Sequence, residues 1–191
     1  SNRGGENPLD YPAVVRSPAE LVIVATEAQT GKPRYFTKDD IHQDDYRPLM
    51  ASCCIPVVDR PYVIDGVPYY DGGLADPVPL EKAFELGCDR VAVILTKPIA
   101  PEQTGSRDKK LAKLLARRYP ASAKGLYLRA ERYNQTVRRA LKLEQQGTAC
   151  VIAPNSTEGM STLTKDRAAL EKMYQKGWQD AEKLVNWYQN L

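Results

Sequence analysis

At 191 residues, with 42% hydrophobic and 27% charged side chains, the chain has the size and composition of one ordinary globular domain. The net charge of +3 is small, and no apolar run reaches the ~20 residues needed to span a bilayer. A single histidine, His42, excludes a multi-histidine metal site built from this chain, and no cofactor-binding motif is legible.

Residues 1–17 are irregular and rich in Gly, Pro and Asn, like a connecting segment. Residues 21–26, L-V-I-V-A-T, form a continuous run of β-formers that suits a strand buried on both faces. A turn at T-G-K, residues 30–32, and a return through R-Y-F, residues 34–36, predict a hairpin over 21–37. Asp44-Asp45 predicts the cap of a short helix over 46–53, stopped at Ile55-Pro56 because proline disfavours helix at the residue before it. His42 lies in the polar run T-K-D-D-I-H-Q-D-D and reads as a surface histidine. The four cysteines, Cys53, Cys54, Cys88 and Cys150, lack zinc-ligand spacing, and adjacent Cys53-Cys54 is a poor disulfide pair. They read as reduced, mostly buried thiols of a cytoplasmic protein.

Residues 61–80, P-Y-V-I-D-G-V-P-Y-Y-D-G-G-L-A-D-P-V-P-L, organise the rest. Y-V-I and V-P-Y-Y predict the two arms of a hairpin, with Asp65-Gly66 as its two-residue turn. Pro68 predicts that this edge of the hairpin is unpaired. Asp71 falls where the second arm ends. Gly72 and Gly73 allow a sharp turn there and leave no Cβ beside the carboxylate, and Pro79 suits the first turn of a following helix. A carboxylate at a strand end, backed by glycine and followed by a helix, is a common place for chemistry in α/β proteins. A plain turn whose Asp satisfies nearby backbone N–H groups has the same spacing.

A helix over 80–86 ended by Gly87, then V-A-V-I-L at 91–95, completes a strand–helix–strand order. That order predicts an α/β fold with a mainly parallel sheet flanked by helices. Residues 107–142 carry twelve of the Lys and Arg against two acids, leaving 15 basic and 22 acidic residues elsewhere. Apolar residues at helical spacing, with Pro120 and Gly125 as breaks, predict two basic helices there. A-C-V-I-A at 149–153 reads as another strand. A long final helix over 167–190, capped by Thr164 or Asp166, places Leu170, Met173, Tyr174, Trp178, Ala181, Leu184, Val185 and Tyr188 on one side.

Several of these stretches together resemble the patatin-like phospholipase family of bacterial type: A-S-C-C-I-P at 51–56, I-D-G at 64–66, Y-D-G-G at 70–73, P-L at 79–80 and G-C-D-R-V at 87–91. L-V-I-V-A-T-E-A-Q-T-G at 21–31 is similar to the strand and turn of bacterial members. The resemblance implies a serine acyl hydrolase that cleaves lipid or phospholipid esters with a Ser-Asp dyad. Asp71 would be its general base, supported by Gly72 and Gly73, with no histidine between base and serine. That mechanism needs no cofactor and no metal.

The family's G-x-S-x-G and glycine-rich oxyanion loop are not found in the sequence. Gly159-Met160-Ser161-Thr162-Leu163 begins like the serine motif but ends in Leu, and Ser52 lacks the flanking glycines. The chain therefore reads as the C-terminal half of a patatin-like catalytic domain over 1–100. A basic helical region with one strand and a long final helix follows over 101–191. Such a fragment is expected to be inactive alone and to partner the missing N-terminal half. Apolar surface left open by that half favours self-association. The alternative function is a non-catalytic module docking its basic helices 107–142 on an anionic membrane surface. Nucleic acid is not expected, since no aromatic platform or helix-turn-helix signature is legible. Asp76 is expected to cap the next helix.

Overall fold

The computed structural model describes residues 4–6, 8–161 and 164–190. The chain divides into two compact units, each assembled from two stretches: residues 1–77 with 104–133, and residues 78–103 with 134–191.

The first unit is built on a four-stranded sheet in the order β2-β1-β4-β3, with β1 Ile23–Glu27, β2 Pro33–Phe36, β3 Tyr62–Ile64 and β4 Val67–Asp71. All three pairings are antiparallel, and short links join β1 to β2 and β3 to β4. The turn between β3 and β4 forms at Asp65-Gly66 as the sequence predicts, with φ of 49° and 82° and Ile64 opposite Val67. These positive angles match the right-handed twist of the flanking strands.

Pro68 does not mark an edge. It lies in β4, which pairs with β3 on one side and β1 on the other. Across a two-residue turn, hydrogen-bonded and non-bonded pairs alternate, so Val63↔Pro68 asks no donor of the proline toward β3. On the other side the β1 ladder ends at Glu27↔Tyr69, and Pro68 contributes only its carbonyl, which accepts from Ala28 N at 2.8 Å.

The sheet is covered on both faces, which explains the unbroken apolar run in β1. One cluster gathers Ile23, Ala25, Phe36, Ile41, Tyr46, Ala51, Ile64 and Tyr69. The other gathers Ala28, Cys54, Tyr70, Leu74, Ala112, Leu115, Ala123 and Leu126. Tyr69 and Tyr70 point to opposite faces, as the two-residue period requires. Each meets an aromatic edge-on, Phe36 at 5.4 Å and Tyr119 at 5.7 Å.

Helix α1, Tyr11–Arg16, is begun by Asp10, and α2 covers Arg47–Ser52. The N-cap of α2 is Tyr46, without a side-chain bond, rather than Asp44 or Asp45. Asp45 instead chelates the Arg47 guanidinium, whose ion pair holds the Asp45 carboxyl below its ordinary range. The basic region forms α4, Ser106–Leu115, and α5, Pro120–Gln145. Pro120 divides them as predicted. Gly125 does not break the helix; it lies inside α5, where an added Cβ would stand 3.1 Å from the Leu74 carbonyl oxygen.

The second unit contains α3, Leu80–Glu85, the strands β5, Val91–Ile94, and β6, Ala149–Ile152, the end of α5, and α6, Arg167–Gln189. Here the helical crossover gives the parallel pairing expected of the α/β class, with Val91 opposite Ala149 and Ile94 opposite Ile152. Asp166 caps α6 through bonds from Ala168 N and Ala169 N. Lys183 on α6 donates to the Val151 carbonyl at 2.7 Å and pairs with Glu144, which in turn accepts from Val151 N. The cysteines are free, but only Cys54 and Cys150 are buried, and burial raises both thiol pKa values; Cys53 and Cys88 are exposed. No helix among the described residues is long and apolar enough to cross a membrane.

Candidate active site

Asp71 is the last residue of β4 and the N-cap of a 3-10 turn, Gly72–Leu74. Its Oδ1 accepts the Gly73 N–H at 2.6 Å. Its backbone is fixed on both sides. The Asp71 N–H donates to the Cys54 carbonyl at 2.8 Å, and the Asp71 carbonyl accepts the Thr26 hydroxyl at 2.9 Å. The first of these bonds joins the two sharpest sequence motifs, A-S-C-C-I-P and D-G-G, at one point in space.

The carboxyl is partly buried. Burial raises its pKa above the ordinary carboxylate value, and the Gly73 N–H and the charge of Arg129 only partly offset this. Arg129 does not pair with Asp71. Its guanidinium makes a bidentate bridge to Asp108, both bonds 2.9 Å. Asp71 enters no ion pair among the described residues. A desolvated, unpaired carboxylate with a raised pKa is the kind of group that can accept a proton from a nearby hydroxyl. It is also the N-cap of its turn, as the plain-turn reading of D-G-G expects.

The glycines have separate reasons. A Cβ on Gly72 would stand 2.3 Å from the Val24 carbonyl oxygen, so this residue lets β1 and the turn approach closely. A Cβ on Gly73 would stand 2.9 Å from Asp71 Oδ1, so that glycine keeps the carboxylate's surroundings open.

Three supporting residues were not singled out from the sequence. Thr26, fully buried, donates to the Asp71 carbonyl and accepts from Ala75 N at 3.2 Å, spanning the whole turn. Its signal was available: it is the one polar side chain in the run L-V-I-V-A-T. Arg132 donates to the Leu74 carbonyl at 2.9 Å, and Tyr35 donates to Asp76 Oδ2 at 2.7 Å. Asp76 therefore does not cap α3, whose N-cap is Pro79 with no side-chain bond. Thr26→Val keeps the shape but removes the hydroxyl and its bond to the Asp71 carbonyl, while the Ala75 N–H keeps its other acceptor, the Gly72 carbonyl, at 3.1 Å. Urea unfolding is expected to show a loss of about 0.5–1.5 kcal/mol, the usual net worth of an intramolecular hydrogen bond. Thr26→Ser is expected to restore most of it.

The other candidates lie elsewhere in the chain. His42 is exposed, bridges to Asp45, and makes no hydrogen bond to Asp71. Ser52 is the last residue of α2, on a helix rather than on a strand-to-helix turn. Ser161 is exposed in a loop, its amide and hydroxyl both engaged with Thr164 Oγ1; Thr162 and Leu163 lie outside the described residues.

Two family models match separate parts of the chain. Residues 119–191, which hold α5, β6 and α6, match the model of a Domain of unknown function (DUF6363). Residues 5–84, which hold the four-stranded sheet, A-S-C-C-I-P and the Asp71 turn, match the model described as Patatin-like phospholipase. Residues 5–84 therefore carry a patatin-like phospholipase domain.

Proposed function

We propose that the chain supplies the general-base half of a serine acyl hydrolase acting on lipid or phospholipid esters. In this reading residues 1–100 are the C-terminal half of the catalytic domain, and residues 101–191 are a helical region that accompanies it. Asp71 takes the proton of a serine hydroxyl, the serine oxygen attacks the ester carbonyl, and the acyl-enzyme is then hydrolysed by water. The serine and the oxyanion donors come from outside residues 1–191. The observation that carries this reading is the state of Asp71: a carboxyl held by backbone bonds at a strand end, desolvated, and not neutralised by a cation.

The test compares the full-length gene product with residues 1–191 on p-nitrophenyl esters. Turnover is expected from the first and not from the second, since each missing oxyanion donor alone is worth ~10²–10³-fold. Hydrolysis by residues 1–191 that disappears on Ser161→Ala or Ser52→Ala would reinstate an internal nucleophile and overturn the reading.

A second reading, docking of the basic helices on anionic lipid, has its own support. Arg107, Lys109, Lys110, Lys113, Arg117, Arg118 and Lys124 are all exposed on α4, α5 and the link between them. Four other cations of the region are engaged internally: Arg129 with Asp108, Arg132 with Leu74, Arg138 with Glu102 and Arg139 with Glu81. Sedimentation with phosphatidylserine vesicles is expected to exceed that with phosphatidylcholine and to fall with added salt. Equal binding to both would remove electrostatic docking.

A further inference from the structure

A cavity of about 600 Å³ opens in the second unit where β5 and β6 end, walled by Ile94, Leu95, Ile152, Met160, Met173 and Leu184. Its volume falls in the ~300–1,000 Å³ range of small-molecule sites. Its position beyond the carboxyl ends of two parallel strands is where α/β folds commonly hold ligands. The walls are almost wholly apolar, and the two methionines can adapt to a flexible guest. Ile94 remains 70% exposed on this wall, so a large apolar side chain stands uncovered in the empty site.

Two further observations shape the guest. The first concerns charge. Of the two ionisable side chains on the lining, Asp180 is compensated by Lys176 at 3.0 Å, while Lys97 is exposed and donates only a long 3.5 Å bond to Gln103 Oε1. The net charge presented by the lining is therefore positive and located at Lys97.

The second concerns Gly177, which lines the cavity from the middle of α6. Glycine inside a helix costs roughly 0.5–1 kcal/mol relative to alanine. Among the described residues nothing lies within 4 Å of a Cβ added there, and its backbone is helical, so neither crowding by them nor conformation calls for glycine. A side chain there would enter open space beside the cavity that Gly177 lines.

We propose that this cavity binds a single-chain fatty acid, its hydrocarbon chain along the β5–β6–α6 wall past Gly177 and its carboxylate at Lys97. The site is independent of Asp71 and stands whether or not the dyad reading holds.

The probe is cis-parinaric acid, whose fluorescence rises in apolar surroundings, titrated into residues 1–191. Saturable binding at one molecule per chain is expected. Gly177→Met fills the open volume and is expected to weaken binding about ten-fold or more, equivalent to ~1.4 kcal/mol. Ile94→Glu, at a residue already mostly open, is expected to do the same without altering the helix. Lys97→Glu is expected to weaken the acid about three-fold or more, as rim charges do, while leaving a long-chain alcohol competitor unaffected. Gly177→Ala should retain binding and unfold at a higher temperature. Absence of saturable binding overturns the proposal, as does unchanged affinity in both Gly177→Met and Ile94→Glu. A dimer in sedimentation velocity that Gly177→Met converts to monomer, without probe binding by either form, would assign the cavity to a second copy of the chain and overturn it equally.

Discussion

Asp71→Asn in the full-length protein is expected to lower ester turnover by about 10²–10⁴-fold, the usual worth of a positioned general base. The fold should survive. Asparagine Oδ1 can accept the Gly73 N–H as the carboxylate does, and the backbone bonds to Cys54 and Thr26 do not involve the side chain. What asparagine lacks is a site for the serine proton. The loss should fall mainly on kcat, since the general base of the proposed mechanism acts in the transition state rather than in holding substrate. The pH dependence gives a second readout. Burial raises the folded-state pKa of Asp71 above its ordinary value of 3.8. A carboxyl that binds its proton more tightly when folded contributes stability below the unfolded-state pKa, and that contribution is lost as pH rises through the folded-state pKa. Asp71→Asn does not titrate, so in residues 1–191 it should match the parent in acid and become the more stable of the two as pH rises above that window. Denaturant titrations at a series of pH values measure the difference. A variant that keeps full esterase activity would show that another group is the base. A variant less stable than the parent at neutral pH would show that the carboxylate is held by a charge partner.

What could be read in advance was the local chemistry. Asp65-Gly66 specified its turn because a two-residue hairpin admits few sequences. The break at Pro120 followed in the same way from single-residue geometry, the strand at Val91–Ile94 followed from its apolar run, and of the two caps open for the last helix, Thr164 and Asp166, the structure uses Asp166. What could not be read was pairing beyond the two hairpins, such as that of β1 with β4. L-V-I-V-A-T looks alike whether a strand is buried in a parallel sheet or between two clusters on an antiparallel one; only the covering residues, far off in sequence, decide. Pro68 and Gly125 misled for a related reason. Each breaks regular structure by default, and each is tolerated here because of a remote neighbour: the end of β1 in one case, the Leu74 carbonyl in the other. The candidate base was legible as a residue, but its surroundings were not. Neither Thr26 across the turn nor the diversion of Arg129 to Asp108 leaves a mark at the spacing of D-G-G. The apolar side of the last helix was legible as one stripe. The structure separates it into Met173, Ala181 and Leu184 on the cavity and Leu170, Tyr174, Trp178, Val185 and Tyr188 in the open.

Gly72→Ala should be among the most damaging small substitutions in the chain. The added Cβ would lie 2.3 Å from the Val24 oxygen, 2.7 Å from its carbonyl carbon and 2.9 Å from its Cβ. Two of these three atoms are backbone of a central strand, so no rotamer change relieves them. The turn must lift away from β1, and with it the Ala25↔Asp71 pair at the end of the ladder. Overpacking in a core typically costs 1–3 kcal/mol, and an immovable partner places this case at about 3 or above. For a chain of this size ~3 kcal/mol corresponds to a fall in melting temperature of roughly 6–12 °C. The displacement should reach the site directly, because Thr26 bonds both the Asp71 carbonyl and the Ala75 N–H and cannot keep both if the turn lifts. Amide exchange of Gly73, whose N–H is held by Asp71 Oδ1, should therefore quicken in this variant more than that of Gly66 in the exposed hairpin turn. Gly177→Ala is the matched control: the same added methyl, on a helix where no atom of the other described residues comes within 4 Å, should raise the melting temperature. Equal melting temperatures for Gly72→Ala and the parent would mean that β1 yields at Val24, and that the close approach does not hold Asp71 in place.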